Sequence, residues 1–219
     1  SICEIIRKDS IVEFILYLNK NNHPLRSLID QSIFETNPLL LINQSSVTLI
    51  EYSAFFGSIQ IFRYLYNKEV ELTKSLWIYA IYGNNEEIIN KCNDVKLTKN
   101  DVNNNLNGDV DFDVDLSDID FDDQFIKDEW LDNNITYERC VIEAIKCHHN
   151  NIAYFLSLNF LTDNKNTLFL GGFQAYNFLI IPNDQIYIEY LIYGCIFDYY
   201  TIVDIYLKTK VIDINFLVI

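Results

Sequence analysis

With 219 residues, half of them hydrophobic, the chain can bury a sizeable core and fill one or two domains. A formal net charge of −15 disfavours nucleic acid and anionic membrane surfaces as direct ligands, because phosphate binding rests on Lys and Arg. No apolar run approaches the roughly 20 residues of a spanning helix.

Five cysteines without framework spacing read as reduced thiols in a cytoplasmic or nuclear setting. The N-terminus lacks the basic start and cleavage site of a signal peptide. A chain that opens on Ser1 and holds no methionine reads as a processed or cut piece of a longer protein.

Residues 2–18 are expected to form a first helix pair. Ile2, Ile5 and Ile6 make one apolar stripe, and Val12, Ile15, Leu16 and Leu18 another, with Lys8-Asp9-Ser10 as the break. His23-Pro24 opens a turn, since proline biases the residue before it away from helix. Leu25–Phe34 is expected to form a further helix, interrupted at Asn37-Pro38, and Leu39–Ile42 is apolar without a clear period.

Thr48–Thr73 is the clearest unit. Thr48 suits a helix N-cap. Ile50, Ser53 and Ala54 share one helical face, and Gly57 is the left-handed stop. Ile61, Phe62 and Leu65 give a second helix its apolar face, and Asn67, Lys68 and Glu69 lead out into a polar loop. Ser75–Cys92 repeats the pattern. Leu76, Tyr79, Ala80 and Gly83 stand where Ile50, Ser53, Ala54 and Gly57 stood, with one extra residue before Ile88.

Residues 93–136 break the rhythm. Nine of the chain's 31 acidic residues are aspartates between Asp101 and Asp123, a span without Lys, Arg or Glu. Strict alternation is strand-like, but a strand with aspartate at every second place repels itself. The stretch from Val95 to Asp123 therefore reads as a mostly disordered acidic insertion, with Phe125, Ile126, Trp130 and Leu131 docking it back. A third copy follows at Cys140–Leu156, with Ala144 and Cys147 in the places of Ala54 and Gly57 and Ile152 one residue late. Leu168–Leu179 is a weak copy around Gly172 and Ala175, ended by Pro182. In the last copy, Tyr190–Leu207, Leu191, Gly194, Cys195 and Asp198 precede Ile202, Val203 and Leu207.

Little in the chain points to chemistry. Cys140, Cys147, His148 and His149 are residue types that zinc sites use, but zinc wants four converging ligands in closely spaced pairs. Cys140 and Cys147 stand two helical turns apart, about 10 Å along the axis, so the group reads as structural and no metal or other cofactor is expected. Asp109–Asp113 matches the opening of an EF-hand loop, yet Val114 takes the glycine place and Asp120 that of the closing glutamate. The histidines sit at turns with no serine or cysteine placed for activation, so no enzyme is expected.

The Thr48–Thr73 residues resemble the ankyrin repeat, whose consensus runs Thr-Pro-Leu-His-x-Ala-Ala-x-x-Gly, then Ile-Val-x-x-Leu-Leu, then a glycine. Thr48, Ser53, Ala54, Gly57, Ile61, Phe62 and Leu65 fall on matching positions. Leu49 replaces the proline, Glu51 the histidine and Glu69 the late glycine, and the step from Ala54 to Ala80 is shorter than the usual ~33 residues. Together with Phe55–Ile59, His148–Ala153, the Cys3–Leu18 pair and Asp213-Ile214-Asn215, the chain resembles the divergent ankyrin-repeat proteins expanded in Trichomonas-like protists.

That resemblance implies an all-α, ankyrin-type helical-repeat solenoid of about six helix pairs. It would be a single array over residues 1–219, interrupted at about 93–136. It implies no defined activity, and the expected role is a non-enzymatic scaffold that binds another protein on a concave face. Carried over from the consensus variable positions, that face would show Glu51, Tyr52 and Phe55, then Trp77, Ile78 and Ile81. The same residues could instead pack onto adjacent repeats, since apolar residues lie all round these helices. The alternative role is an acidic-loop protein that sequesters a basic partner or weakly binds Ca²⁺ through Asp109–Asp123.

Overall fold

Several helices start at oxygen-bearing side chains, and the first helix of each pair stops where one residue turns left-handed. The structure, a computed structural model, describes residues 1–29, 37, 39–40, 47–97, 135–162, 164–181 and 187–209. Among these residues the regular elements are helical, and the chain is all-α; an isolated antiparallel bridge joins Leu28 to Thr48. Asp101–Asp123, Phe125, Ile126, Trp130, Leu131 and Asp213–Asn215 lie outside the described residues. Contacts divide the chain into two compact units, Ser1–Cys140 and Val141–Ile219.

Unit 1 contains α1 (Ile2–Arg7), α2 (Ile11–Asn21), α3 (Leu49–Phe55), α4 (Ile59–Asn67), α5 (Leu76–Gly83) and α6 (Glu86–Cys92). The division falls within α7 (Tyr137–Lys146). Unit 2 continues with α8 (Asn150–Phe160), α9 (Asn164–Gln174), a 3₁₀ turn at Phe178–Ile180, α10 (Tyr187–Ile196) and α11 (Tyr200–Thr209). Thr48 caps α3 through a full capping box: its hydroxyl accepts from the Glu51 N–H, and the Glu51 carboxylate accepts from the Thr48 N–H at 2.9 Å.

One turn recurs between the helices of a pair. Asp9, Gly57, Asn84, His148, Tyr176 and Asp198 all have φ between 49° and 63°. In each, the N–H of the left-handed residue donates to the carbonyl three places back, as from Gly57 to Ala54 at 3.0 Å and from His148 to Ile145 at 3.0 Å. In five of the six the next N–H reaches the carbonyl five places back, as from Ser58 to Ser53 and from Asn177 to Gly172, both at 2.8 Å. This is a Schellman closure, which satisfies carbonyls that a helix end leaves open.

The turn corrects the sequence register. The left-handed residues of the second and third copies are Asn84 and His148, not Gly83 and Cys147. Counted from them, Ile88 and Ile152 lie four places on, as Ile61 does from Gly57, and no residue is extra. Gly83 is glycine for another reason: a Cβ there would lie 1.9 Å from the Ala54 carbonyl oxygen.

Two further expectations change. The described part of Leu25–Phe34 is not helical. Its backbone pairs with the segment entering α3, Ile29 N–H to Val47 O at 2.7 Å and Leu49 N–H to Ser27 O at 3.3 Å. Val95 and Leu97, expected within the acidic insertion, belong to the folded unit: the Val95 carbonyl accepts from the Trp77 indole at 2.8 Å, and Leu97 is buried.

In unit 1 the pairs stack in two layers. Helices α1, α3 and α5 pack in succession, and α2, α4 and α6 form the second layer against them. The Ser58 hydroxyl donates to the Ile6 carbonyl of the preceding pair at 2.6 Å. Two contacts of the same kind occur inside unit 2, Asn177 Nδ2 to the Ile145 carbonyl at 3.0 Å and Tyr199 hydroxyl to the Phe173 carbonyl at 2.6 Å. In all three, the residue after the left-handed turn reaches the carbonyl three places before the previous turn. Buried Ile6, Phe14, Ile61, Phe62, Leu65, Ile88 and Ile89 fill the layers of unit 1, each contributing about 1.5–3 kcal/mol by transfer from water. Unit 2 is centred on Phe173, whose ring neighbours Phe169, Phe178, Tyr193, Phe197 and Tyr199.

Candidate partner-binding surface

The six residues expected on a concave face are brought together by the stacking of α3 on α5, but five of them are inside it. Glu51, Tyr52, Trp77, Ile78 and Ile81 are at most 2% exposed, and Phe55 alone is half-buried. Leu49–Ala54 and Leu76–Ile81 are buried without interruption, so these stretches have no wet face. The sequence shows why: both runs are apolar at nearly every place, and a helix apolar all round is a buried one. The five are therefore packing residues, and a partner touching unit 1 meets other side chains.

Glu51 is a structural carboxylate. Its Oε2 accepts from the Thr48 N–H at 2.9 Å and the Thr48 hydroxyl at 2.7 Å. Its Oε1 accepts from the Thr73 hydroxyl at 2.6 Å and from the Ser75 hydroxyl. Those four donors span the entry to α3 and the entry to α5, so one buried carboxylate ties two consecutive pairs. Both of its oxygens are hydrogen-bonded, the condition for burying a polar group at tolerable cost. Trp77 plays the matching part at the exit of α6. Its indole N–H holds the Val95 carbonyl, and its ring meets Tyr137 edge-on at 5.7 Å.

What reaches the surface of unit 1 beside α3 and α5 is an aromatic strip. The Phe55 ring stacks on Tyr82 at 5.7 Å and meets Phe56 edge-on at 5.0 Å. Phe55, Phe56 and Tyr82 are all half-buried, and the exposed Arg7 guanidinium lies 4.8 Å from the Phe56 ring centre. Arg7 also donates through Nε to the Tyr52 hydroxyl at 2.8 Å. Burial first, then the neighbouring Cys3, pushes the Tyr52 phenol up to about 12, against the lowering effect of Arg7. Sequence reading found Phe55 but missed Arg7, Phe56 and Tyr82. With Asn84 as the turn residue, Tyr82 holds the place of Phe55, two before the turn; only the misplaced register hid it.

Cys140 is buried, His148 is the left-handed turn residue, and His149 stands at the N-cap of α8. Burial in unit 1, with Cys140 a lesser influence, raises the Cys92 thiol well above the usual range, so it stays protonated and poorly nucleophilic. Among the described residues no three His, Cys, Asp or Glu side chains converge as a metal group would, and no helix is long and apolar enough to cross a membrane.

The class these observations define is an all-α protein of stacked helix pairs joined by one recurring turn. In comparisons with known family models, curated proteins and solved structures, the chain matches none.

Proposed function

We propose that the chain is a non-enzymatic, protein-binding scaffold built as an ankyrin-type helical-repeat array. The observation that carries this reading is the recurring pair-to-pair hydrogen bond, made by Ser58, Asn177 and Tyr199 from the same place after the same turn. Such repetition is what a quasi-one-dimensional array uses to stack like units, and arrays of this kind offer broad surfaces for partners. The surface favoured in unit 1 is the strip of Arg7, Phe55, Phe56 and Tyr82, because aromatic residues and arginine dominate the energetic centres of protein interfaces. Affinity capture with the wild-type chain and with Phe55→Ala plus Tyr82→Ala tests it. Loss of a captured partner with helicity retained supports the strip, and undiminished capture refutes it.

The acidic-loop reading also has an observation in its favour. Val95 and Leu97 on one side of the 98–134 stretch and Tyr137 on the other are joined through Trp77 and the Leu97 N–H to Tyr137 hydroxyl bond at 3.4 Å. The chain thus leaves and re-enters unit 1 at one place, and the aspartate-rich span can be removed without parting its anchors. Deleting residues 101–123 abolishes binding of a basic partner or Ca²⁺ under this reading and leaves capture intact under the scaffold reading.

A further inference from the structure

Of the six turns, five lead into a second helix and one does not. The second helices α2, α4, α6, α8 and α11 run for 11, 9, 7, 11 and 10 residues. After Tyr176, among the described residues, comes only the 3₁₀ turn Phe178–Ile180, and α10 begins at Tyr187. The start of a helix is there in register. Ile180 and Ile181, four and five places beyond the turn, are buried like Ile61 with Phe62, Ile88 with Ile89, and Ile152 with Ala153. They pack on α9, where a Cβ on Gly172 would meet them at 2.9 and 2.7 Å. Pro182 then stands six places beyond the turn, and in a helix interior its ring crowds the carbonyl four residues back and it has no N–H to give. The α9 pair is therefore short of about two helical turns, some ~10 Å, in its second layer.

The side chains beside that place depart from the rest of the stack. Ten places beyond the turn, the other second helices carry Asn19, Asn67, Asp94 and Lys208, but α8 carries Leu158, 70% exposed. Three places beyond, Gln60, Glu87, Asn151 and Thr201 are polar and Val12 is apolar, whereas the 3₁₀ turn presents Leu179, 85% exposed. In unit 1 the step from six places beyond one turn to three beyond the next is the Arg63–Glu87 ion pair. In unit 2 the same step runs from Tyr154 to Leu179, and the Tyr154 hydroxyl donates to the neighbouring Ile180 carbonyl at 3.0 Å. Phe178, also exposed, meets Tyr199 edge-on at 5.3 Å. Tyr154, Leu158, Phe178 and Leu179 thus form an uncharged apolar margin where the helix stops, and exposed apolar margins of this kind mark binding surfaces. Helix α8 precedes it in unit 2 and the α10–α11 pair follows.

The complete pairs define what fits. There the missing turns are helix, and the residue eight places beyond the turn, Leu65, Cys92 or Leu156, is buried. The residue seven beyond reaches the second helix of the pair before it, as Tyr64 reaches Phe14 at 6.1 Å and Lys91 reaches Tyr66 at 4.7 Å. We propose that an amphipathic helix of a partner protein takes this place on unit 2 and completes its second layer. The occupant shows apolar residues at i, i+1 and i+4, corresponding to seven, eight and eleven places beyond the turn, and binds as a helix laid in an apolar groove. Its contacting face carries no charge, because the margin offers none to pair with it. The site shares the protein-binding reading but no residue of the strip in unit 1, so the two stand or fall separately.

Selection from a displayed peptide library on the full chain tests it. Each peptide has about 15 residues, near the length at which isolated helices hold, with apolar residues kept at i, i+1 and i+4 and the rest randomised. The comparison bait is Leu158→Asn with Leu179→Gln, which copies Asn67 and Gln60 of α4 at two exposed positions and is checked by circular dichroism and thermal unfolding. Selected peptides are expected to become helical on binding wild type. In fluorescence polarisation they should bind the variant at least about tenfold more weakly, because amide groups would be buried without partners. Phe55→Ala with Tyr82→Ala should leave their binding unchanged. A selection without binders overturns the proposal, as do peptides that bind the variant equally well, bind in an extended form, or are lost with Phe55 and Tyr82. Self-association of wild type in sedimentation velocity that the variant abolishes also overturns it, since a second copy would then hold the place.

Discussion

A glycine inside a helix is normally a weakness, and alanine improves it by about 0.8–1 kcal/mol on propensity alone. Gly83, the last residue of α5, should behave in the opposite way. A Cβ on Gly83 would stand 1.9 Å from the Ala54 carbonyl oxygen and 3.1 Å from the Ala54 carbonyl carbon and the Gly57 nitrogen. All three are backbone atoms, so no rotamer change relieves the overlap. A carbon and an oxygen in close contact ordinarily stay about 3.3–3.6 Å apart, so α3 and α5 must part by more than an ångström at their tightest point. Overpacking of this kind costs typically 1–3 kcal/mol, and rigid neighbours put Gly83→Ala at or above the top of that range. After the propensity offset the expected loss is about 2–3 kcal/mol, or some 4–12 °C in Tm for a chain of this size. Gly171, also helical, is the control. Its Cβ would meet Ile145 Cδ1 at 2.9 Å, the free end of a side chain that can swing aside. Gly171→Ala should fall within about 1 kcal/mol of wild type. Urea and thermal unfolding of both variants decide the matter. Equal stability of the two would refute the close approach of the α3 and α5 ends, and with it the register set by Asn84.

Glu51→Gln keeps the size but loses an acceptor facing the Thr48 N–H and hydroxyl or the Thr73 and Ser75 hydroxyls, and should cost about 1.5–3 kcal/mol, the range for hydrogen bonds to a charged group; denaturant unfolding measures it. Trp77→Phe removes the donor to Val95 O and should cost about 1–3 kcal/mol in the same assay through the unpaired carbonyl. Tyr52 and Tyr199 have phenols raised from 10.0 to about 12, chiefly by burial, with Cys3 adding at Tyr52 and Tyr176 at Tyr199. A raised folded pKa means that the stability tied to the neutral phenol is whole below pH 10 and declines as pH climbs toward 12. Tyr52→Phe and Tyr199→Phe should each flatten the alkaline fall in stability. A pH series of unfolding midpoints with an unchanged slope above pH 10 would contradict that assignment.

The sequence by itself determined the helices, their pairing and the apolar faces, because helical periodicity and caps such as Thr48 act within a few residues along the chain. It also placed Gly57 as a left-handed stop. It could not locate Asn84 and His148 as the equivalent turn residues, because a left-handed turn accepts asparagine or histidine when the neighbouring pair holds it, and Gly83 one place earlier offered a false match. Only the tertiary structure decided that Glu51, Tyr52, Trp77, Ile78 and Ile81 are buried. A residue on an all-apolar helix can face a partner or a neighbour, and the choice depends on what stacks beside it. The same holds for Leu25–Ile29, whose backbone pairs with the entry to α3 and not with itself. Position in a repeat is local information, whereas exposure belongs to the assembled stack.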